Sequence, residues 1–330
     1  MRRRIVAMFA AIVFILGVSG CALASNAVYD KLSGIDASWC PWRFAADTPA
    51  SFTTDHVDGS PRLDLSAYSM PGYQSVSFAS RGQAAITISG WWVPGATAAA
   101  PAVVVAHGFG RCKHDPEVLL PAAMLHRAGF SVLLIDMRNH GDSTVDDGRF
   151  ALGNKEYRDV LGACDWLRTV QGLAADRIGL FGVSGGAGTV VIASGEEPQV
   201  AAVWEDSGWG DIDVFMQDEL AREGFPTFLS FGALLVGRLL HGVDLTALSP
   251  LKAVAALHGR PIYIVHGMAD TRMPVKQAYL LADGVRQAGG TVDPWILPGV
   301  GHVRAAFLAT AEYEQRLVDF FSRALGSPTS

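Results

Sequence analysis

Three residues far apart in the chain each stand in a setting suited to nucleophilic catalysis. Ser184 lies in Gly182-Val183-Ser184-Gly185-Gly186. This is a G-x-S-x-G pattern, in which the serine projects from a tight turn whose neighbours must be small enough for close approach. A hydroxyl is a weak nucleophile until an adjacent base takes its proton. His302, in Gly299-Val300-Gly301-His302, is the candidate base, because glycines around it let a loop present the imidazole. Asp270, in His266-Gly267-Met268-Ala269-Asp270, is the candidate acid. A carboxylate there can fix the imidazole tautomer and stabilise the imidazolium. One such motif is a modest signal in a chain with 36 glycines. Three residues, each just after an expected strand, are far more specific.

Acyl transfer also needs donors for the negative oxygen of the tetrahedral intermediate. His107-Gly108-Phe109-Gly110 follows a short apolar run. The backbone N–H of Phe109 is the expected first donor and that of Gly185 the second. His107 ends a strand with no nucleophile near it in sequence, and a structural role is expected. The charged stretch from Arg111 to Asp115 either favours a polar or anionic leaving group or is a solvated loop. The solvated loop is the expectation carried forward.

The elements that must position these residues alternate. Val76 to Ala79 and Ala85 to Val93 are expected to pair as strands around the turn Ser80-Arg81-Gly82. Ala102 to Ala106, Ser131 to Ile135, Ile178 to Phe181, Val200 to Trp204, Ile262 to His266 and Val292 to Leu297 are further strands. Helices are expected over Glu156 to Val170, Ala187 to Ser194, Val275 to Ala288 and Arg304 to Leu325. Such alternation predicts a mostly parallel sheet with helices on both faces. Between Trp209 and Pro250 no strand is expected. That segment, 209–250, is rich in Phe, Leu, Val and Met, and Phe228 to Leu240 forms either a buried helix or part of a cap over the site.

Residues 1–24 stand apart. Arg2, Arg3 and Arg4 precede an uncharged apolar stretch from Ile5 to Val18, the pattern of an export signal. Val18-Ser19-Gly20-Cys21 matches a lipobox, with Cys21 as lipid attachment site. Ala22-Leu23-Ala24 offers ordinary signal cleavage, and Ile5 to Ala24 is long enough for an uncleaved anchor. All three place the body outside the cytoplasm. Residues 25–70 are expected to be an extension or a linker, able to lie over the main domain, 71–330. Of four cysteines, lipid on Cys21 would leave three and at most one disulfide. Cys164 is expected to be buried and inert.

With Asp136-Met137-Arg138-Asn139-His140-Gly141-Asp142-Ser143 and Ser249-Pro250 added to these motifs, residues 76–325 resemble the α/β-hydrolase superfamily, in the serine branch with serine aminopeptidase-like and dipeptidyl-peptidase-like cores. The order Ser184, Asp270, His302 is the order of that fold. The resemblance implies hydrolysis of an ester, thioester or amide, and a structural role for His140. Some members place the acid where Asp206 stands. Asp270 is preferred because its loop matches the pattern more fully.

The leading expectation is an exported carboxylic-ester hydrolase, acting on a small-molecule ester or acyl substrate and reaching the membrane through its N-terminus. An apolar cap would favour short or medium acyl esters. A peptidase or amidase is the rival enzyme, with Glu205 and Asp206, or acids of the insertion, as an amine site. A surface binding protein without catalysis is the rival from another class. With 26 basic against 32 acidic side chains, the chain has no concentrated basic surface for nucleic acid. No metal or organic cofactor is expected, since no metal-ligand spacing appears.

Overall fold

Strands that are apolar at every position must be covered on both faces. In the computed structural model, which describes residues 20–57 and 59–328, β3 (Ala102–Ala106), β4 (Ser131–Ile135) and β5 (Ile178–Val183) are buried throughout. They form the middle of an eight-stranded sheet. β1 (Gln74–Ser80) and β2 (Gln83–Val93) make an antiparallel hairpin at one edge, and β2 pairs antiparallel with β4. β6 (Ala202–Asp206), β7 (Ile262–Gly267) and β8 (Trp295–Leu297) continue in parallel on the other side. The order is β1-β2-β4-β3-β5-β6-β7-β8, the architecture of the α/β-hydrolase fold.

Helices cover both faces. α3 (Pro116–Arg127) and α11 (Thr310–Leu325) close one apolar layer. α4 (Tyr157–Thr169), α5 (Gly185–Glu196) and α9 (Lys276–Gln287) close the other. The Ser249-Pro250 pair starts the short helix α8 (Pro250–Ala253), where the Ser249 hydroxyl accepts from Lys252 N–H. Ala253 then packs where only a glycine, Gly195 of α5, leaves room.

Several boundaries differ from expectation. The last strand is three residues rather than six, since Pro294 lacks the N–H a ladder needs and pairing begins at Trp295. The helix expected over 304–325 is broken at Ala309, leaving α10 (Ala305–Leu308) ahead of α11. β6 extends two residues further than expected, because Val183 pairs opposite Asp206. Glu205 and Asp206 therefore lie inside the sheet and not beyond it.

The extension is fastened at two points. Residues 20–33 form α1, whose Tyr29 is buried and stacks on His241. Further along, α2 (Trp39–Arg43) is joined to the loop after β3 by the disulfide Cys40–Cys112. Cys164 is free and buried. The loop from Arg111 to Asp115 corrects the expectation of a solvated stretch: Cys112, Lys113 and Asp115 are buried. The Lys113 ammonium lies between Asp136 and Asp142, so its charge is paired and not hydrated.

The 209–250 segment folds as α6 (Ile212–Arg222) and α7 (Leu229–Leu240). Phe215 and Met216 of α6 are buried beside Trp209. Phe228, at the start of the stretch read as a buried helix or part of a cap, is 72% exposed.

Candidate active site

Ser184 is the hinge between β5 and α5, with φ 54° and ψ −120°. That is a costly backbone state for a residue with a Cβ. The surroundings impose it: Ser184 N–H donates to Asp206 O at 2.8 Å, and the Ser184 carbonyl already accepts from Ala187 N–H. The glycines around it are required by contact. A Cβ on Gly186 would fall within 2.3 Å of His107 O, and one on Gly182 within 2.4 Å of Gly186 O.

The structure brings the three candidate residues together. Ser184 Oγ lies 2.9 Å from His302 Nε2, and His302 Nδ1 lies 2.7 Å from Asp270 Oδ2. The other carboxylate oxygen, Oδ1, accepts from Arg272 N–H at 2.9 Å and Met273 N–H at 2.7 Å. Burial by itself would raise the Asp270 pKa, but hydrogen bonds from His266 and His302 and the Met273 N–H outweigh it and hold the carboxyl well below the usual range. His266 was not singled out from sequence. It is fully buried, donates from Nε2 to Met273 O at 2.7 Å and stands 3.4 Å from Asp270 Oδ2. Its spacing of four residues from Asp270 across a strand end was the available signal.

The candidate oxyanion donors also converge. A Cβ on Gly185 would lie 3.0 Å from Phe109 N, and one on Gly108 would lie 3.2 Å from Ser184 Cβ. The two amides thus flank the serine. The Gly185 N–H is among those at the start of α5 with no partner inside the helix. The loop is held by histidines that take no direct part. His140 Nε2 accepts from Gly110 N–H, and His107 Nε2 accepts from Met137 N–H, each at 3.1 Å. Burial pushes His107 down to about 4 and His140 to about 3, so both remain neutral acceptors.

Asp206 reaches other partners. Its Oδ1 accepts from Ser207 Oγ at 2.8 Å and its Oδ2 from the Tyr313 hydroxyl at 2.7 Å. Glu205 accepts from Gly208 N–H with Oε1, while Oε2 is buried without a partner. Both are 1% exposed, which removes them as an amine site: a substrate cannot reach them.

Burial pushes the Glu205 carboxyl up to about 8. A carboxyl raised in the folded state gives stability that is fully present below its unfolded value. That stability is lost as pH rises through the folded value. Glu205→Gln keeps an acceptor for Gly208 and cannot ionise. Its stability is therefore expected to gain on the wild type from pH 5 to about pH 8 and to hold that gain at pH 9, a difference on the order of a few kcal/mol that melting curves read as a rising temperature gap. Parallel melting curves for the two proteins across that range would sink this account.

The chain is similar to several known proteins. Residues 118–328, more than half of the chain, match the model of the prolyl oligopeptidase family. An uncharacterized 31.7 kDa protein of Escherichia coli is 29% identical over 132 residues, 39% of this chain and 45% of that protein. The match thus spans about half the length of that relative. A thiohydrolase of Aspergillus aculeatus is 36% identical over 96 residues, 28% of this chain and 29% of its own. Among solved structures, an esterase of Pyrococcus furiosus is similar with a TM-score of 0.62 at 19% identity, covering 89% of this chain and 98% of the esterase. At that identity the likeness speaks for the fold.

Proposed function

The chain belongs to the prolyl oligopeptidase family of α/β-hydrolases, and from that premise we propose that it is an exported serine hydrolase cleaving a carboxylic ester or thioester through an acyl-enzyme on Ser184. The observation that carries this reading is the unbroken relay from Ser184 Oγ through His302 to Asp270, at 2.9 and 2.7 Å. Ser184 Oγ attacks the acyl carbon and its proton passes to His302 Nε2. The imidazolium returns that proton to the leaving oxygen or sulfur. The carbonyl oxygen, now negative, faces the Phe109 and Gly185 N–H groups. Water, deprotonated by His302, attacks the acyl carbon, and the imidazolium returns that proton to Ser184 Oγ as the acid leaves.

An ester or thioester is favoured over a peptide with a free amine because the acids at the end of β6 and two acids of α6 are buried or paired. Glu205 and Asp206 are buried, Glu219 pairs with Arg222 and Arg272, and Asp218 pairs with Lys276. The activities named for an esterase and a thiohydrolase among the similar proteins support the same choice. The test is a panel of acyl esters, acyl thioesters and aminoacyl amides. Turnover of the amides alone would overturn the choice. Failure of an active-site fluorophosphonate to label Ser184 would favour a non-catalytic binding protein.

The exported, membrane-held part of the proposal rests on four supports. The signal pattern itself spans residues 1–24, of which 1–19 lie outside the described residues. The disulfide Cys40–Cys112 suits an oxidising compartment. Cys21 is free and exposed. Finally, Phe228, Phe231, Leu235 and Leu239 form one exposed stripe on α7, with Leu23 of the adjoining α1 also exposed, an apolar surface of the kind that meets a membrane or a partner. Among the described residues no helix is long and apolar enough to cross a membrane. Labelled fatty acid is expected on the wild type and absent from Cys21→Ser. Label that persists in the variant, or never appears on the wild type, would remove the lipid attachment.

A further inference from the structure

A cavity of about 560 Å³ lies where the extension meets the two loops that flank Ser184. Its wall includes Trp39, Arg43 and Phe44 from α2 and its end, and Arg111, Asp115 and Arg304 from the catalytic side. Arg304 is two residues beyond His302, and Arg111 is two residues beyond Phe109. The catalytic-side wall is therefore built on the same loops that carry His302 and Phe109, while Ser184, His302 and Asp270 themselves do not line the cavity. The Cys40–Cys112 disulfide ties its two walls together.

The guanidinium groups in it differ in how far they are already paired. Arg62 is bound by both oxygens of Asp55 at 2.8 Å, and Arg304 is bound by Glu117. Arg43 has no carboxylate partner among the described residues and rests over the Phe44 ring at 5.5 Å. Arg111 rests over the Trp39 ring at 5.4 Å, with Asp115 Oδ2 at 3.4 Å, beyond a short hydrogen bond. That Asp115 oxygen is buried and accepts no hydrogen bond. Burial and the neighbouring Glu117 charge push the Asp115 carboxyl up to about 7, which weakens its hold on Arg111 near neutral pH. Arg43, with no carboxylate partner, and Arg111, with only a distant one, rest over aromatic rings and keep N–H donors for a planar or tetrahedral oxyanion.

We propose that this cavity is a specificity site for an acidic group, a carboxylate or a phosphate, carried by the substrate beyond its scissile bond, with Arg43 and Arg111 as its ligands. This rests on the hydrolase reading above and names the substrate class of that same site. Held there, the acidic group places the acyl carbon at Ser184 by binding energy remote from the bond that breaks.

The test uses the full chain and matched probes. For the acyl half, p-nitrophenyl glutarate is compared with p-nitrophenyl glutaramate. For the alcohol half, 4-acetoxybenzoate and 4-acetoxyphenyl phosphate are compared with 4-acetoxybenzamide. Each rate is corrected for spontaneous hydrolysis. At least one acidic probe is expected to exceed its neutral twin by about ten-fold or more in kcat/KM, as one charge-assisted hydrogen bond supplies, and the excess shrinks in high salt. The benzoate and phosphate arms separate the two acids. Arg43→Gln and Arg111→Gln bring the ratio of acidic to neutral probe near one, whatever each does to the neutral rate, and Arg43→Lys restores part of it. Ratios at or below one in both halves, with neutral esters turned over, overturn the acidic site and leave the hydrolase standing. A high ratio that both Gln variants retain also overturns it. If the wild type turns over none of the probes, the hydrolase reading fails and this site falls with it.

Discussion

Ser184→Ala is expected to lower kcat by roughly 10⁵- to 10⁶-fold and to abolish labelling by a fluorophosphonate, with the protein still folded. The hydroxyl removed is the one 2.9 Å from His302 Nε2, so the side-chain hydrogen bond lost belongs to the relay. The backbone at φ 54° is set by neighbours, namely Asp206 O on Ser184 N–H and the close packing of Gly182 and Gly186. Alanine, which has the same Cβ, meets the same cost. A residual rate of about 10³-fold over water is expected, because the Phe109 and Gly185 N–H groups and substrate binding survive the change. The measurement is single-turnover and steady-state hydrolysis of a p-nitrophenyl ester, beside a melting curve. Turnover within about ten-fold of wild type would show that another group is the nucleophile.

The sequence showed the site more fully than the surroundings that tune it. Each triad residue follows a strand, and strands buried on both faces, such as Ala102 to Ala106, announce themselves by unbroken apolar runs. Glycines at 182, 185 and 186 marked the elbow for the contact reasons the coordinates show. What sequence could not reveal depends on distant chain segments. The Arg111 to Asp115 loop looks solvated because its neighbours in sequence say nothing about Asp136 and Asp142, which neutralise Lys113 from across the fold. Glu205 and Asp206 look like acids beyond a strand until the register opposite β5 pairs them as the last two residues of β6. His266 has no motif of its own, and only the turn back from Met273 sets it under Asp270. The disulfide was open among the cysteines until folding brought Cys40 to the loop that carries Cys112.

Asp270→Asn is expected to cost about 10³- to 10⁴-fold in kcat with little change in KM, whereas Asp206→Asn stays within roughly ten-fold of wild type. The reason is a matter of which atom faces the imidazole. Asp270 Oδ1 accepts two backbone N–H groups, from Arg272 and Met273. An asparagine must keep its carbonyl oxygen there, so its NH₂ takes the place of Oδ2, 2.7 Å from His302 Nδ1. A donor facing Nδ1 forces the imidazole proton onto Nε2. The nitrogen that should accept the Ser184 proton is then already protonated, and the imidazolium loses its counter-charge. At Asp206 no such inversion arises. Its oxygens accept from Ser207 and Tyr313, and neither bond includes His302. Burial pushes the Asp206 carboxyl up to about 6, so the charge an amide removes is one the site holds at a cost, and its loss is felt as altered stability through Tyr313 rather than as lost chemistry. Melting curves separate the two kinds of loss. A larger fall in kcat for Asp206→Asn than for Asp270→Asn, in proteins that melt cooperatively, would move the orienting carboxylate to the end of β6 and require His302 to turn toward it.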